Sequence, residues 1–180
     1  MSHYVAFLRG INVGGNKPIR MEELKKAFAA LGFADVTTVL ASGNVLFACE
    51  KAREQGLAKR IEEKLKQAFK TEIGVAVRSV VGLKRLAASE PFRGVKVTPQ
   101  TRLYVTFLSE KPAGKIKAPY TSPDKTFRIL RVSATEVCTV LTLSGKAGTV
   151  DLMAVLDKEF GRKITTRNWN TIARILKAAG

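Results

Sequence analysis

Residues 3–17 read His3-Tyr4-Val5-Ala6-Phe7-Leu8-Arg9-Gly10-Ile11-Asn12-Val13-Gly14-Gly15-Asn16-Lys17. Tyr4, Ala6 and Leu8 alternate with Val5 and Phe7, so both faces of this run are apolar. That pattern belongs to a strand in the middle of a sheet, covered on both sides. The run then empties into a loop carrying Arg9, Gly10, Asn12, Gly14, Gly15, Asn16 and Lys17. Its glycines let backbone approach a ligand closely, and its N–H groups, amides and two cations suit an anion. The spacing is neither that of a dinucleotide fingerprint nor that of a Walker loop.

Outward from this stretch, Met21, Leu24, Phe28 and Leu31 recur at helical steps, with Pro18 ahead of them and Gly32 behind. This predicts a helix of about three turns. Residues 33–40 read as a second strand. Ala41-Ser42-Gly43-Asn44 reads as a tight turn, with Val45–Cys49 returning as a third strand. Leu57, Ile61, Leu65 and Phe69 place a second helix over about 53–70, and Ile73–Val80 is a fourth strand. Strand, helix, strand, strand, helix, strand is the split βαβ, or ferredoxin-like, order: an antiparallel sheet with both helices on one face. The turn at Ser42-Gly43-Asn44 is expected at the sheet edge opposite the Arg9–Lys17 loop, making two separate surfaces.

The second half reads as a smaller α+β unit, so domains are expected over 1–90 and 91–180. Residues 81–89 form a short helix, 92–101 a connector and Arg102–Leu108 a strand. Pro112, Pro119 and Pro123 forbid a long helix over 109–125 and leave an extended cationic loop. Phe127–Val132 and Val137–Leu143 form a hairpin, and helices follow over about Thr149–Phe160 and Arg167–Ala178. The last helix is expected to turn Trp169, Ile172 and Leu176 inward. This half can be read as the first pattern with its first helix replaced by the Pro/Lys loop, although no residue-level similarity stands out between the halves.

Charge is the outlier of the composition. There are 31 Lys and Arg against 15 Asp and Glu, a net +16. Residues 1–90 hold 15 basic and nine acidic side chains, and residues 91–180 hold 16 and six. Such a field attracts nucleic acid, nucleotides or acidic surfaces. An apolar fraction of 46% supports a packed core. No apolar run is long enough to span a membrane, and no signal pattern opens the chain, so a cytoplasmic protein without a membrane partner is expected. One histidine, His3, and two separated cysteines, Cys49 and Cys138, cannot make a Cys/His metal site. No metal or cofactor is expected.

Two further stretches could hold an anion. Thr165-Thr166-Arg167-Asn168-Trp169-Asn170 is expected to open the last helix, with Thr165 or Thr166 as its N-cap. Arg167 would then meet a phosphate and Trp169 could stack on a base. Ser144-Gly145-Lys146-Ala147-Gly148 is a small-residue turn with one cation, Lys146.

Leu8-Arg9-Gly10-Ile11-Asn12-Val13-Gly14-Gly15, Ser42-Gly43-Asn44-Val45 and Thr166-Arg167-Asn168-Trp169-Asn170-Thr171 together resemble the landmarks of domain-of-unknown-function family number 1697, found mainly in bacteria. The resemblance spans nearly the whole chain. It implies an α+β fold and a cytoplasmic bacterial protein, and no established activity, cofactor or partner. Residues 144–150 depart from the more aromatic, hydroxyl-rich approach to a Ser-Lys pair that it implies there.

Three functions remain. The first is binding of a phosphate-bearing ligand, nucleic acid or a nucleotide, through the Gly/Arg/Lys loop, Ser42, Asn44, Lys146 and residues 166–170. The second is a structural or homodimeric interaction protein. The third is a transferase acting on an anionic small molecule through arginine and backbone donors. Hydrolytic acid–base chemistry fits poorly, because Glu22, Glu23, Glu62, Glu63, Asp157 and Glu159 fall on helix surfaces. Phe7 and Phe47 read as core, so the sheet lacks the exposed aromatic pair of an RNA-reading sheet.

Overall fold

The computed structural model describes residues 1–12, 18–112, 114, 116–144 and 151–180. In chain order these residues form β1 (Ser2–Leu8), α1 (Met21–Ala29), β2 (Ala34–Val39), β3 (Asn44–Cys49), α2 (Glu54–Phe69), β4 (Val75–Ser79) and α3 (Val80–Ala88). There follow β5 (Thr101–Leu108), β6 (Tyr120–Thr121), β7 (Phe127–Val132), β8 (Glu136–Thr142), α4 (Leu152–Phe160), β9 (Ile164–Asn168) and α5 (Trp169–Ala179). The fold is α+β with two antiparallel sheets. The chain divides into two units, residues 1–85 with 172–180, and residues 86–171. The sequence reading places the division after residue 90.

The sheet of the first unit has the order β2-β3-β1-β4, compatible with the split βαβ expectation. β1 lies between β3 and β4, which is why it must be apolar on both faces. Tyr4, Ala6 and Leu8 join Leu24 and Phe28 of α1 and Leu57, Ile61 and Leu65 of α2 in one core. Val5 and Phe7, on the other face, are also fully buried. Phe47 anchors an aromatic cluster, stacked on Phe33 at 4.4 Å and on Tyr4 at 5.7 Å between ring centres. Each of these large side chains contributes about 1.5–3 kcal/mol by leaving water. The Tyr4 hydroxyl stays satisfied, donating to the Ala52 carbonyl and accepting from its N–H. α2 ends on Lys70 in the left-handed conformation, φ 56°.

The second sheet has the order β6-β7-β8-β5-β9. Phe127, Ile129 and Val137 of the β7–β8 hairpin pack with Leu108, Ile164 and the Leu152, Leu156 and Phe160 face of α4. Asp151 caps α4, its carboxylate accepting from the N–H groups of Met153 and Ala154. The Pro-rich segment has no helix among its described residues, and it adds the short edge strand β6. β9 runs to Asn168, so α5 starts two residues after the expected Arg167. α5 buries Ile172 and Ile175, with Trp169 and Leu176 half-buried. Both cysteines are free thiols.

Candidate functional site

The backbone leaving β1 is held from two sides. The Leu8 N–H donates to the Gly43 carbonyl and the Arg9 N–H to the Gly74 carbonyl, both at 2.8 Å. The Arg9 loop and the Ser42–Asn44 turn therefore lie side by side, which corrects the expectation of opposite edges. The reason is topological. β1 pairs antiparallel with β3, and Phe7 stands opposite Asn44, so the end of β1 meets the start of β3. The turn delivers the chain to that start, after α1 has carried it back along the sheet.

Asn12, Ser42 and Asn44, three of the expected site residues, build the base of this place together with Gly43. Asn12 has φ 56°, and its side-chain amide donates to the carbonyls of Ile19 (3.1 Å) and Ala41 (2.9 Å). Its Oδ1 accepts from the Ile19 N–H at 2.8 Å. Both donors of the amide are thereby used, and one side chain ties the loop's two ends to each other and to the turn. Asn44 is fully buried and donates to the Val39 carbonyl (2.8 Å) and to Ser42 Oγ (3.1 Å). Gly43 has φ 79°, and a Cβ there would stand 2.7 Å from Ile11 Cδ1 and 2.9 Å from Leu8 Cβ. Only glycine fits.

At the mouth stand Arg9, half-buried, and Gly10, exposed with φ 66° and open space where a Cβ would be. Gly14, Gly15, Asn16 and Lys17, and Lys146 of the other turn, lie outside the described residues. Sequence reading missed Gly74 and the Ile19 and Ala41 carbonyls. Backbone acceptors carry no side-chain signature, though an isolated glycine just before a strand was the available sign at Gly74.

The third stretch starts the helix only from Trp169 onward. Thr165, Thr166, Arg167 and Asn168 belong to β9, paired with β5 so that Thr166 faces Thr106 and Arg167 faces Val105. β-branched threonines favour the pleated conformation, and the Thr106 and Thr166 hydroxyls share a hydrogen bond of 2.8 Å. Asn168, not Thr165 or Thr166, caps α5, its Oδ1 accepting from the Asn170 N–H at 2.9 Å. Arg167 is only 9% exposed and donates to the Thr166 carbonyl. Burial pushes its guanidinium pKa down to about 10. Trp169 sets its ring edge-on to Phe92, 5.3 Å between centres. The free N–H groups, the exposed arginine and the open indole face that an anion site would need do not come together here.

Acidic side chains serve the fold. Glu62 accepts from the Val75 N–H and Glu54 from the Ser79 N–H, so two α2 carboxylates satisfy the edge of β4. Glu54 also lies 3.7 Å from the buried Arg78. Among the described residues, no group of three or more His, Cys, Asp or Glu could hold a metal ion. No helix among them is long and apolar enough to cross a membrane. A cavity of about 510 Å³ opens at the start of β1, lined by His3, Lys51, Ser79 and Lys84 among others, and holds none of the expected residues.

A family described as "Protein of unknown function (DUF1697)" matches residues 1–137. No curated protein matches the chain significantly. Among solved structures, a conserved bacterial protein, SP0830 from Streptococcus pneumoniae, has a similar fold. It is 20% identical, with a TM-score of 0.70 over 99% of each chain.

Proposed function

The chain belongs to the DUF1697 family of proteins of unknown function, and we propose that it binds a phosphate-bearing anionic ligand, nucleic acid or a nucleotide, through the Arg9–Lys17 loop. One observation carries this reading: the Asn12 side chain fixes both ends of a loop whose sequence is rich in glycine and cation. A loop fixed at its base loses less freedom when it binds a ligand. The net charge of +16 adds long-range attraction for a polyanion.

A second reading has its own support. Asn12, Gly43 and Asn44 are each accounted for by contacts within the protein, which fits a loop that serves the fold alone.

Fluorescence anisotropy with short labelled single- and double-stranded DNA and RNA, at low and near-physiological salt, separates the two. Binding is expected to survive physiological salt. Arg9→Ala and Lys17→Ala are each expected to weaken it about tenfold while the melting temperature stays nearly unchanged. Affinity indifferent to both substitutions, or lost instead in Lys51→Ala/Lys84→Ala at the other end of β1, sinks the proposal.

A further inference from the structure

With β6 set aside, the second sheet's order β7-β8-β5-β9 repeats the first sheet's β2-β3-β1-β4. In both units the last strand runs directly into a helix, β4 into α3 and β9 into α5. This strand order alone is a common one. The residues say more. The central strands read Tyr4-Val5-Ala6-Phe7-Leu8 and Tyr104-Val105-Thr106-Phe107-Leu108, differing at one position of the five. Sequence reading passes over this match because five residues are conspicuous only once strand order fixes their alignment.

Register agrees as well. Tyr4 faces Ser79 and Leu8 faces Val75, just as Tyr104 faces Asn168 and Leu108 faces Ile164. Between them, Val5 and Val105 each stand beside a buried arginine, Arg78 and Arg167, whose Nη1 donates to the preceding carbonyl. The Leu8 and Leu108 N–H groups donate to Gly43 and Thr135, and the Arg9 and Ser109 N–H groups to Gly74 and Lys163. Ser79 and Asn168 both cap the helix that follows, accepting from Gly82 and Asn170.

One part is not repeated. In the place of the Arg9 loop and α1 stands the segment from Ser109 to Lys125. Gly114 lies against the Glu159 carbonyl near the end of α4, where a Cβ would collide. Ile116, Ala118 and Tyr120 pack against the core, and Glu110 pairs with Lys163. A helix C-terminus carries partial negative charge, and the Glu159 carboxylate also lies beside Gly114, so a phosphate is disfavoured at that point despite Lys111 and Lys117.

We propose that the second unit is a duplicate of the first in which the loop after the central strand has become a structural strap, so that of these two loops only the first binds an anion. Binding at the first loop rests on the phosphate-binding reading; the strap does not.

Isothermal titration calorimetry with a 5′-phosphorylated thymidine dinucleotide as probe is the test, run beside thermal melting. One equivalent per chain is expected, lost in Arg9→Ala and kept within about twofold in affinity in Lys111→Ala/Lys117→Ala, since exposed charges contribute little. Gly114→Ala is expected to bind normally and melt about 5 °C lower, and failure of that variant to fold has the same meaning. Two equivalents, one of them lost with Lys111 and Lys117, overturn the proposal, as does a Gly114→Ala protein that melts like the parent. A parent protein that binds no probe overturns the phosphate reading instead, and the melting of Gly114→Ala then decides the strap.

Discussion

Asn12 and Gly43 show how much one residue can fix at the mouth of β1. Asn12→Ala removes three hydrogen bonds at once and strands the Ile19 N–H. It is expected to cost about 2 kcal/mol in urea unfolding, and to weaken ligand binding without removing any charge. Gly43→Ala combines a left-handed φ with contacts under 3 Å, and is expected to cost about 2 kcal/mol or more. Arg9→Ala should do the reverse, sparing stability and harming binding. The thiols make a separate prediction. Burial pushes the Cys138 pKa from 9.0 up to about 11 and raises that of the half-buried Cys49. Above the ordinary value the unfolded chain releases the Cys138 proton first, so stability that is present at neutral pH falls as pH rises from 9 towards 11. Near pH 8, a thiol reagent followed by absorbance should label Cys49 in the native protein and Cys138 only after unfolding.

At the scale of elements, the ends of helices decide which residues are free. Asp151 and Asn168 hold the starts of α4 and α5 through side-chain oxygens. Asp151→Ala and Asn168→Ala are each expected to cost about 1 kcal/mol in chemical denaturation, whereas Thr165 has no capping role to lose. Residues 165–168 escaped sequence reading because a strand and a helix start share their polar, β-branched composition. The free ladder of β5 settled the choice, since five consecutive residues of β9 pair with it. The sequence marks Ser42–Asn44 as a turn but not which edge it occupies, because local sequence fixes a turn's shape and strand pairing fixes its neighbours.

For the whole molecule the governing quantity is charge. A net +16 makes weak, salt-sensitive binding of any polyanion an expected background. A specific site shows itself against that background by what Arg9 does to the salt dependence. Arg9→Ala is expected to reduce the slope of log affinity against log salt by about one, read from titrations across a salt series. A slope unchanged by Arg9→Ala would assign the binding to the general surface.

By itself the sequence determined the elements: a two-faced apolar strand, helices marked by steps of three and four, turns marked by Gly and Asn, and a family whose landmarks lie in order along the chain. These are local properties, set by side-chain periodicity and backbone preference within a few residues. Only the tertiary structure decided which landmarks meet. It brought Arg9, Asn12 and Ser42–Asn44 to one end of the sheet and placed Thr165–Asn168 in a ladder. It also made Tyr4–Leu8 and Tyr104–Leu108 comparable, because antiparallel pairing joins residues dozens of positions apart by a register that no local pattern records.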